Sequence, residues 1–559
     1  MTRLRGLAAH YTGRERVGPA TMGQVNMARC VRTDPPEHMN YEVVRNLPQG
    51  TTYQRVADAV GLLMSRHESL RTTFHDGIQR VAGDGELTVE VHPAGDGVTG
   101  RVAADLRGRR FDLAAELPLR VAVIAGDDGP EQVVLVTTHS TVDAVGLALL
   151  VADWEELVRG RTPGPAAPQP VDVAAMEGSP AGLRRADAAL RYWRTQLGRI
   201  PRSTLTVTVD DRDHDWSLPR LRVRSAAVAA ALARITARTG TSRSGALLAA
   251  FGTLAGLRAG QPVCPIISIS ANRFRPELRE YVGPLAQDAL IPIDLTGPAF
   301  DAVLRATRAA SLAAYQNSRF DSAALVRIME EVAADRGVFF ARDLVYNDMS
   351  AATPAGPPLR GVPDERAPGE EPDIRSAWLP DETLPTRVSL WVNRLEGEVD
   401  VTLWADPRCL PREDTLLLGE GVMRLLAEAG RRDVPLADLP GLTGITPLRR
   451  DGEWLVADSC WVDLAEVRRL VADAVPGPSS VSAVPDERLG HRIVCRLAAP
   501  VTPEAAHAAC LALLPGRMAA IAPHHYVVAG VAEGTGRPAP AEVPVPSRAP
   551  GPYGRVGGG

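Results

Sequence analysis

Residues 120–140 constrain the fold more than any other stretch of the chain. RVAVIAG (120–126) and EQVVLVTTHS (131–140) are apolar runs rich in β-branched residues, and DDGP (127–130) between them has the composition of a tight turn. A helical pattern follows at 144–159. Two strands that feed directly into a helix need a layered structure, a sheet with helices packed on it, rather than a bundle or an all-β sandwich.

The same alternation continues along the chain. In TTYQRVADAVGLLMS (51–65), Val56, Ala59, Val60 and Leu63 share one helical face, and LTVEVH (87–92) alternates like a half-buried strand. Helical patterns occupy 181–197, 226–239, 243–258, 298–315, 321–335 and 413–431. Strand patterns occupy 217–225, 263–270, 342–347, 387–393 and 398–404. TPGPAAPQP (162–170) reads as a connector, and the Pro-, Gly- and acid-rich 353–373 as a long exposed loop. The segment 538–559 has too little apolar content to fold and is expected to be disordered.

Composition excludes several chemistries. All 62 basic side chains are arginine, against 67 acidic residues, for a formal net charge of −5. Without lysine there is no Schiff base, no P-loop lysine and no lysine general base. The charge balance is wrong for a nucleic-acid-binding protein. No apolar stretch is long enough for a signal peptide or a membrane span. The six cysteines, Cys30, Cys264, Cys409, Cys460, Cys495 and Cys510, are scattered without a C-x-x-C pair. They read as reduced packing residues of a cytoplasmic protein, and no metal site is expected.

Among the eleven histidines, His139 is the most informative. It sits at the tip of the VVLV strand with Asp143 just beyond it, an arrangement that holds an imidazole rigidly at the edge of a sheet. By itself this pattern is also common for a surface or core histidine. Its neighbours give it more weight: RHESLRTTF (66–74), RFDLAAELPLRVAVI (110–124), TTHSTVDA (137–144), RYWRTQL (191–197) and ANRFRPELREYVGP (271–284) occur in that order.

In this order and at these spacings the chain resembles the condensation domain of nonribosomal peptide synthetases over roughly residues 18–440. The first segment fits that family's R-H-E-x-L-R-T-x-F motif at every fixed position, and 138–144 fits H-H-x-x-x-D-G in part. The resemblance implies an α/β (α+β) fold of two chloramphenicol-acetyltransferase-like lobes in a V with a central tunnel, here 1–175 and 176–440. It implies that substrates arrive on the phosphopantetheine arms of acyl or peptidyl carrier proteins acting in trans, that the acceptor is a small-molecule amine or alcohol, and that no cofactor is bound by the chain itself.

The resemblance makes His139 the catalytic residue, either accepting the amine proton or orienting the nucleophile. It makes Asp143 structural, paired with Arg71 beneath the site. Thr138 stands where the family has its first His, and Ala144 where it has Gly. Asn272, Arg273 and Gly283 carry over the second-lobe motif, with Leu285 and Gln287 in the family's Phe and Asn places.

From about 446 to 537 the chain resembles the small C-terminal subdomain of an adenylation domain, through WVDLAEV, VPDERLGH and LLPGRMAAIAPHHY. This α+β subdomain carries a catalytic lysine in that family; here the nearest position is Gly536-Arg537, so adenylation is not expected. A structural remnant or docking surface is. Gly95–Gly100 fits G-x-G-x-x-G without its β-α-β context and reads as a surface loop. His524-His525 reads as structural.

Three functions fit: an amide-forming condensation enzyme, an ester-forming or soluble-acceptor acyltransferase of the same fold, and a non-catalytic carrier-protein docking scaffold.

Overall fold

The computed structural model describes residues 4–165, 167–209, 216–350, 373–530 and 539–544. The first part of the chain builds two sheets. Strands β1 (Leu4–Tyr11), β3 (Asn40–Asn46), β6 (Gly85–Pro93), β7 (Leu119–Gly126) and β8 (Gly129–Thr138) form a five-stranded sheet in the order β1-β6-β7-β8-β3. It is antiparallel except for β6 and β7. Strands β2 (Arg16–Pro19), β4 (Thr72–His75) and β5 (Ile78–Val81) make a small sheet in the order β2-β5-β4.

Helices cover both faces of the large sheet. On one side α3 (Tyr53–Arg66) and α5 (Ala144–Val158) bury Val56, Val60, Leu63, Leu150 and Trp154 against Val121, Val123, Val133 and Leu135. On the other, α1 (Met22–Thr33), α2 (Pro36–Met39) and α4 (Val98–Gly108) close over Ala122, Ile124, Val134 and Val136. Alternate residues of β7 and β8 thus enter different cores, as the two-residue period of a strand requires. Both faces are buried, which is why these strands read as continuous apolar runs. The G-x-G-x-x-G residues form the turn into α4, with Gly97 in the left-handed region at its N-cap.

The second part builds a seven-stranded mixed sheet, β11-β10-β12-β14-β15-β9-β13, from β9 (Ser217–Ser225), β10 (Val263–Ser270), β11 (Gln287–Asp294), β12 (Leu344–Asp348), β13 (Arg375–Thr383), β14 (Val388–Arg394) and β15 (Val399–Ala405). One face carries α8 (Ala226–Thr239), α9 (Arg243–Ala259), α10 (Phe300–Gln316) and α12 (Arg412–Ala429) over the largest core of the chain. The other face receives α7 (Pro180–Leu197) and α11 (Ser322–Arg336), through Trp193, Leu197, Leu290 and Leu325. The connector ends at Gln169, which caps the short α6 (Pro170–Gly178). Ser225, Ser242 and Asp321 each accept from a backbone N–H of the helix they open, so the hydroxyl or carboxylate ahead of an apolar-periodic run fixes the start of the helix.

After α13 (Leu439–Thr443) comes a smaller α+β unit. It contains the hairpin β16 (Trp454–Ala457) and β17 (Cys460–Asp463), helices α14 (Leu464–Ala474) and α15 (Pro503–Leu513), and the sheet β18-β19-β20-β21 (Ser479–Asp486, Gly490–Leu497, His525–Gly530, Ala539–Pro544). Its core includes Ala333 and Val338 from the end of α11, so this unit is fused to the second sheet. Arg336 bonds Asp458 (Nε–Oδ2 2.6 Å), Ala522 N donates to Gly337 O at 2.7 Å, and the Trp461 indole donates to Gly260 O at 3.1 Å. Arg450 lies over the rings of Trp454 and Trp461.

The chain from 538 is not structureless throughout: Ala539–Pro544 pairs antiparallel with β20. It is an edge strand, where the prolines that lower its strand signal in the sequence are tolerated. Most of the expected loop at 353–373 lies outside the described residues, as do 545–559. Among the described residues no helix is long and apolar enough to cross a membrane.

Candidate active site

β8 ends at Thr138, and the chain then turns through His139–Val142 before Asp143 opens α5. The turn is held from below. His139 N donates to Met39 O at 2.8 Å and Thr141 N to Thr138 O at 2.9 Å. The His139 ring packs against Tyr41 of β3 with centroids 5.0 Å apart, and His139 is 4% exposed. Around it Thr138, Ser140 and Thr141 are buried, and their hydroxyls make no hydrogen bond among the described residues.

Asp143 is the hub. One carboxylate oxygen caps α5 by accepting from Gly146 N at 2.8 Å. The pair of oxygens receives Arg273 in a fork, Nη1 to Oδ2 and Nη2 to Oδ1, both at 2.8 Å. Leu285 N and Ala286 N add bonds of 2.9 and 3.1 Å. Burial works against the charged form, but the Arg273 charge and these hydrogen bonds outweigh it and hold the carboxyl below its usual range. With all these donors engaged, Asp143 is an ionised structural group with no capacity left to act as a base.

The expected pairing of Asp143 with Arg71 is therefore corrected. Arg71 is buried beneath the first lobe, where its guanidinium donates to the carbonyls of Met64, Arg14 and Ala82. It neutralises orphaned backbone oxygens rather than an acid. The rest of the R-H-E segment is structural as well. Arg66 and His67 both hold Asp153 of α5, at 2.6 and 2.8 Å, and Glu68 pairs with Arg16 at 3.1 Å. Burial keeps His67 below the usual imidazole value.

The second-lobe motif closes the site from the opposite side. Asn272 sits at φ 54°, and its amide nitrogen donates to Leu285 O and Ser318 O, both at 2.9 Å. Arg273 also reaches Tyr281 O (3.2 Å) and Gly283 O (3.1 Å). Gln287, in the place expected for Asn, donates to Phe320 O at 2.9 Å. Gly283 is required by close approach, since a Cβ there would stand 2.1 Å from the Tyr281 ring. The next residue meets α1, where a Cβ on Gly23 would lie 2.0 Å from Pro284 O. A Cβ on Gly146 would likewise lie 3.2 Å from Gly283 N. Ala144 is simply the first helical residue of α5 and has no positive φ, so it needs no glycine.

The structure thus brings together His139, Thr138, Asp143, Ala144, Arg273, Asn272 and Gly283 and leaves Arg71 out. The sequence reading missed Tyr41, Gly23, Gly146 and the amides of Leu285 and Ala286. The alternation in NYEVVRN was the available signal for Tyr41; backbone amides leave none.

Comparison with known proteins follows the same outline. Residues 32–355, more than half of the chain, match the family described as Condensation domain. A probable non-canonical nonribosomal peptide synthetase, CymA, of Salinispora arenicola is 29% identical over 300 residues, covering 50% of this chain and 4% of that protein. Phosphinothricin tripeptide synthetase PhsB of Streptomyces viridochromogenes is 28% identical over 463 residues, covering 75% of this chain and 36% of that protein. The chain therefore spans only a small part of the length of these relatives. The solved condensation domain from the monacolin K polyketide synthase MokA superposes with a TM-score of 0.58 at 17% identity, covering 75% of this chain and 99% of that one. The matched residues include the His139 turn, the Asp143 hub and the Asn272–Gly283 segment that meets it, and the chain belongs to the condensation-domain family.

Proposed function

We propose that this chain is a free-standing condensation enzyme that transfers a carrier-bound acyl or aminoacyl group from a thioester to an amine. The observation that carries the reading is His139 on a turn fixed from both lobes, by Met39 O and Tyr41 on one side and by the Asp143–Arg273 fork on the other. In this reaction the amine nitrogen attacks the thioester carbonyl, the oxygen gains negative charge, and the thiolate leaves while the nitrogen loses a proton. His139 is the group assigned to the reacting nitrogen, accepting its proton or holding its lone pair in line. The buried hydroxyls of Thr138, Ser140 and Thr141 are donors available to the developing oxyanion.

The domain division at about 175 and 440 is part of this reading, as is the assignment of 446–537 to an adenylation-type subdomain. The separate sheets support the first. The lack of lysine supports a non-adenylating role for the second. Carrier proteins in trans, acting in the cytoplasm, are the inferred partners.

Incubating the purified chain with acylated carrier protein and a panel of amines and alcohols, and reading products by mass spectrometry, tests the proposal. Amide formation that disappears in His139→Ala is expected. Ester in place of amide would move the reading to the alcohol-using acyltransferase. Near-wild-type turnover by His139→Ala would overturn the role of His139, and carrier binding without product, unchanged in that variant, would favour a docking scaffold.

A further inference from the structure

On the face of the second sheet covered by α7 and α11 lies a cavity of about 70 Å³ whose lining does not include His139. Its walls are apolar: Ile267 and Leu290 stand opposite each other on β10 and β11, Trp193 and Leu197 come from one face of α7, and Leu325 and Met329 from one face of α11. Half-buried Met329, Phe340 and Arg342 form its outer rim.

One end of this cavity is not apolar. Arg202 lines it and is 3% exposed. Its Nη2 donates to Met518 O and its Nε has no acceptor. Among the described residues no acid lies within ion-pair distance of it. The nearby Asp343 is already engaged by Thr204 N at 3.0 Å and Arg387 Nε at 3.1 Å, and Asp288 is engaged by Arg342 at 2.9 Å. The four charged residues of the lining, Arg202, Arg342, Asp288 and Asp343, sum to zero, but Asp343 is held by Thr204 N and Arg387 and makes no direct ion pair with Arg202. Beside it the Trp193 indole N–H and the Ser203 hydroxyl are also buried without a hydrogen-bond partner. A buried guanidinium that makes no direct ion pair, next to two further unsatisfied polar groups, is an unfavourable arrangement.

We propose that this cavity is a binding site for a short aliphatic carboxylate. The carboxylate gives Arg202 a direct ion pair and accepts from the Arg202, Trp193 and Ser203 donors, in the strong charge-assisted geometry that guanidinium groups favour. The alkyl part fills the apolar end. A cavity of ~150 Å³ takes the six carbons of benzene, so about half that volume holds three or four heavy atoms, the size of acetate. Arg202 is itself held by the C-terminal unit, through Met518 O and the contact of its backbone N with Cys460 Sγ at 3.4 Å, so an occupant bears on the junction between that unit and the second sheet. Binding is read without turnover and does not depend on the acyl-transfer proposal.

The test is titration calorimetry of the full chain with sodium acetate at constant ionic strength, against acetamide, which has the same shape without the charge. Saturable 1:1 binding of acetate is expected, with the amide at least about tenfold weaker. Leu325→Trp, which fills the apolar end, should abolish binding while the melting curve stays cooperative. Ser203→Ala should weaken it, and provides a milder probe where Arg202→Met fails to fold. Absence of saturable heat up to ~50 mM acetate would overturn the proposal. So would equal binding of the amide, or binding unchanged in Leu325→Trp.

Discussion

Arg273 and Asp143, 130 residues apart, form a two-point ion pair at 2.8 Å with side chains 8% and 2% exposed. The pair joins the loop after β10 to the N-terminus of α5, so it fixes the turn carrying His139 from the opposite lobe. Removing one partner leaves a buried charge uncompensated and should cost about 3–5 kcal/mol. Asp143→Ala and Arg273→Ala are expected to be non-additive in denaturant unfolding, with a coupling energy of roughly 1–3 kcal/mol. Asp143→Ala and Arg71→Ala should add within about 0.5 kcal/mol. Arg71→Ala alone should cost about 1–3 kcal/mol, through the carbonyls it leaves unsatisfied.

Glycine substitutions separate close approach from mere presence. Gly23→Ala drives a methyl group into the Pro284 carbonyl, and Gly283→Ala drives one into the Tyr281 ring. Each should destabilise by about 1–3 kcal/mol or more. Gly100→Ala, in the exposed first turn of α4 with nothing within 4 Å of the new Cβ, should stabilise by about 0.5–1 kcal/mol. Thermal unfolding of the three proteins gives the order.

The C-terminal unit should not behave as a mobile appendage. Arg336 and Asp458 pair at 2.6 Å with side chains 8% and 16% exposed, and the Ala333–Val338 stretch lies in the core of that unit. Arg336→Ala is expected to cost about 3 kcal/mol. Hydrogen exchange should rise together in 322–343 and 457–526. Exchange confined to 457–526 would show the two parts to be independent.

Acid should loosen this unit first. His524 Nδ1 accepts from Ile493 N at 3.0 Å, and burial lowers its pKa from 6.5 to about 4. Because the folded value is depressed, the unfolded chain binds the proton first. The contribution to stability is complete above pH 6.5 and is lost as the pH falls towards 4. A shift of this size corresponds to about 3 kcal/mol. Melting temperatures of wild type and His524→Gln, measured between pH 7.5 and 4 (a window set by the two pKa values), should converge at the acid end. Burial lowers His507 in the same direction, so a residual slope is expected in the variant.

Much of the secondary structure was legible in the residues. SLPRLRVRS and VCPIISIS form strands over the spans that their alternation and β-branching indicate, and Ser225 and Ser242 start helices where capping chemistry places them. The resemblance located the His139 turn and the Arg273 segment. The partner of Asp143 was not legible, because periodicity carries no information on contacts across 130 residues and two arginines of the same motif set were available. The carboxylate also takes three of its bonds from the amides of Gly146, Leu285 and Ala286, groups that any non-proline residue supplies. The strand Ala539–Pro544 was hidden by its composition: its pairing comes from a neighbouring edge rather than from its own side chains.

The contact of Gly283 and Pro284 with Gly146 and Gly23 is backbone against backbone. At this point the lobes therefore meet at a distance set by peptide geometry, beside the Asp143–Arg273 side chains that bridge them. Anyone recombining such enzymes would have to transplant both lobes as one cassette. A crossover placed in the connector before α6 would pair a donor's 281–286 loop with a foreign α1 and α5, and a single extra methyl group on either side would hold the new joint open.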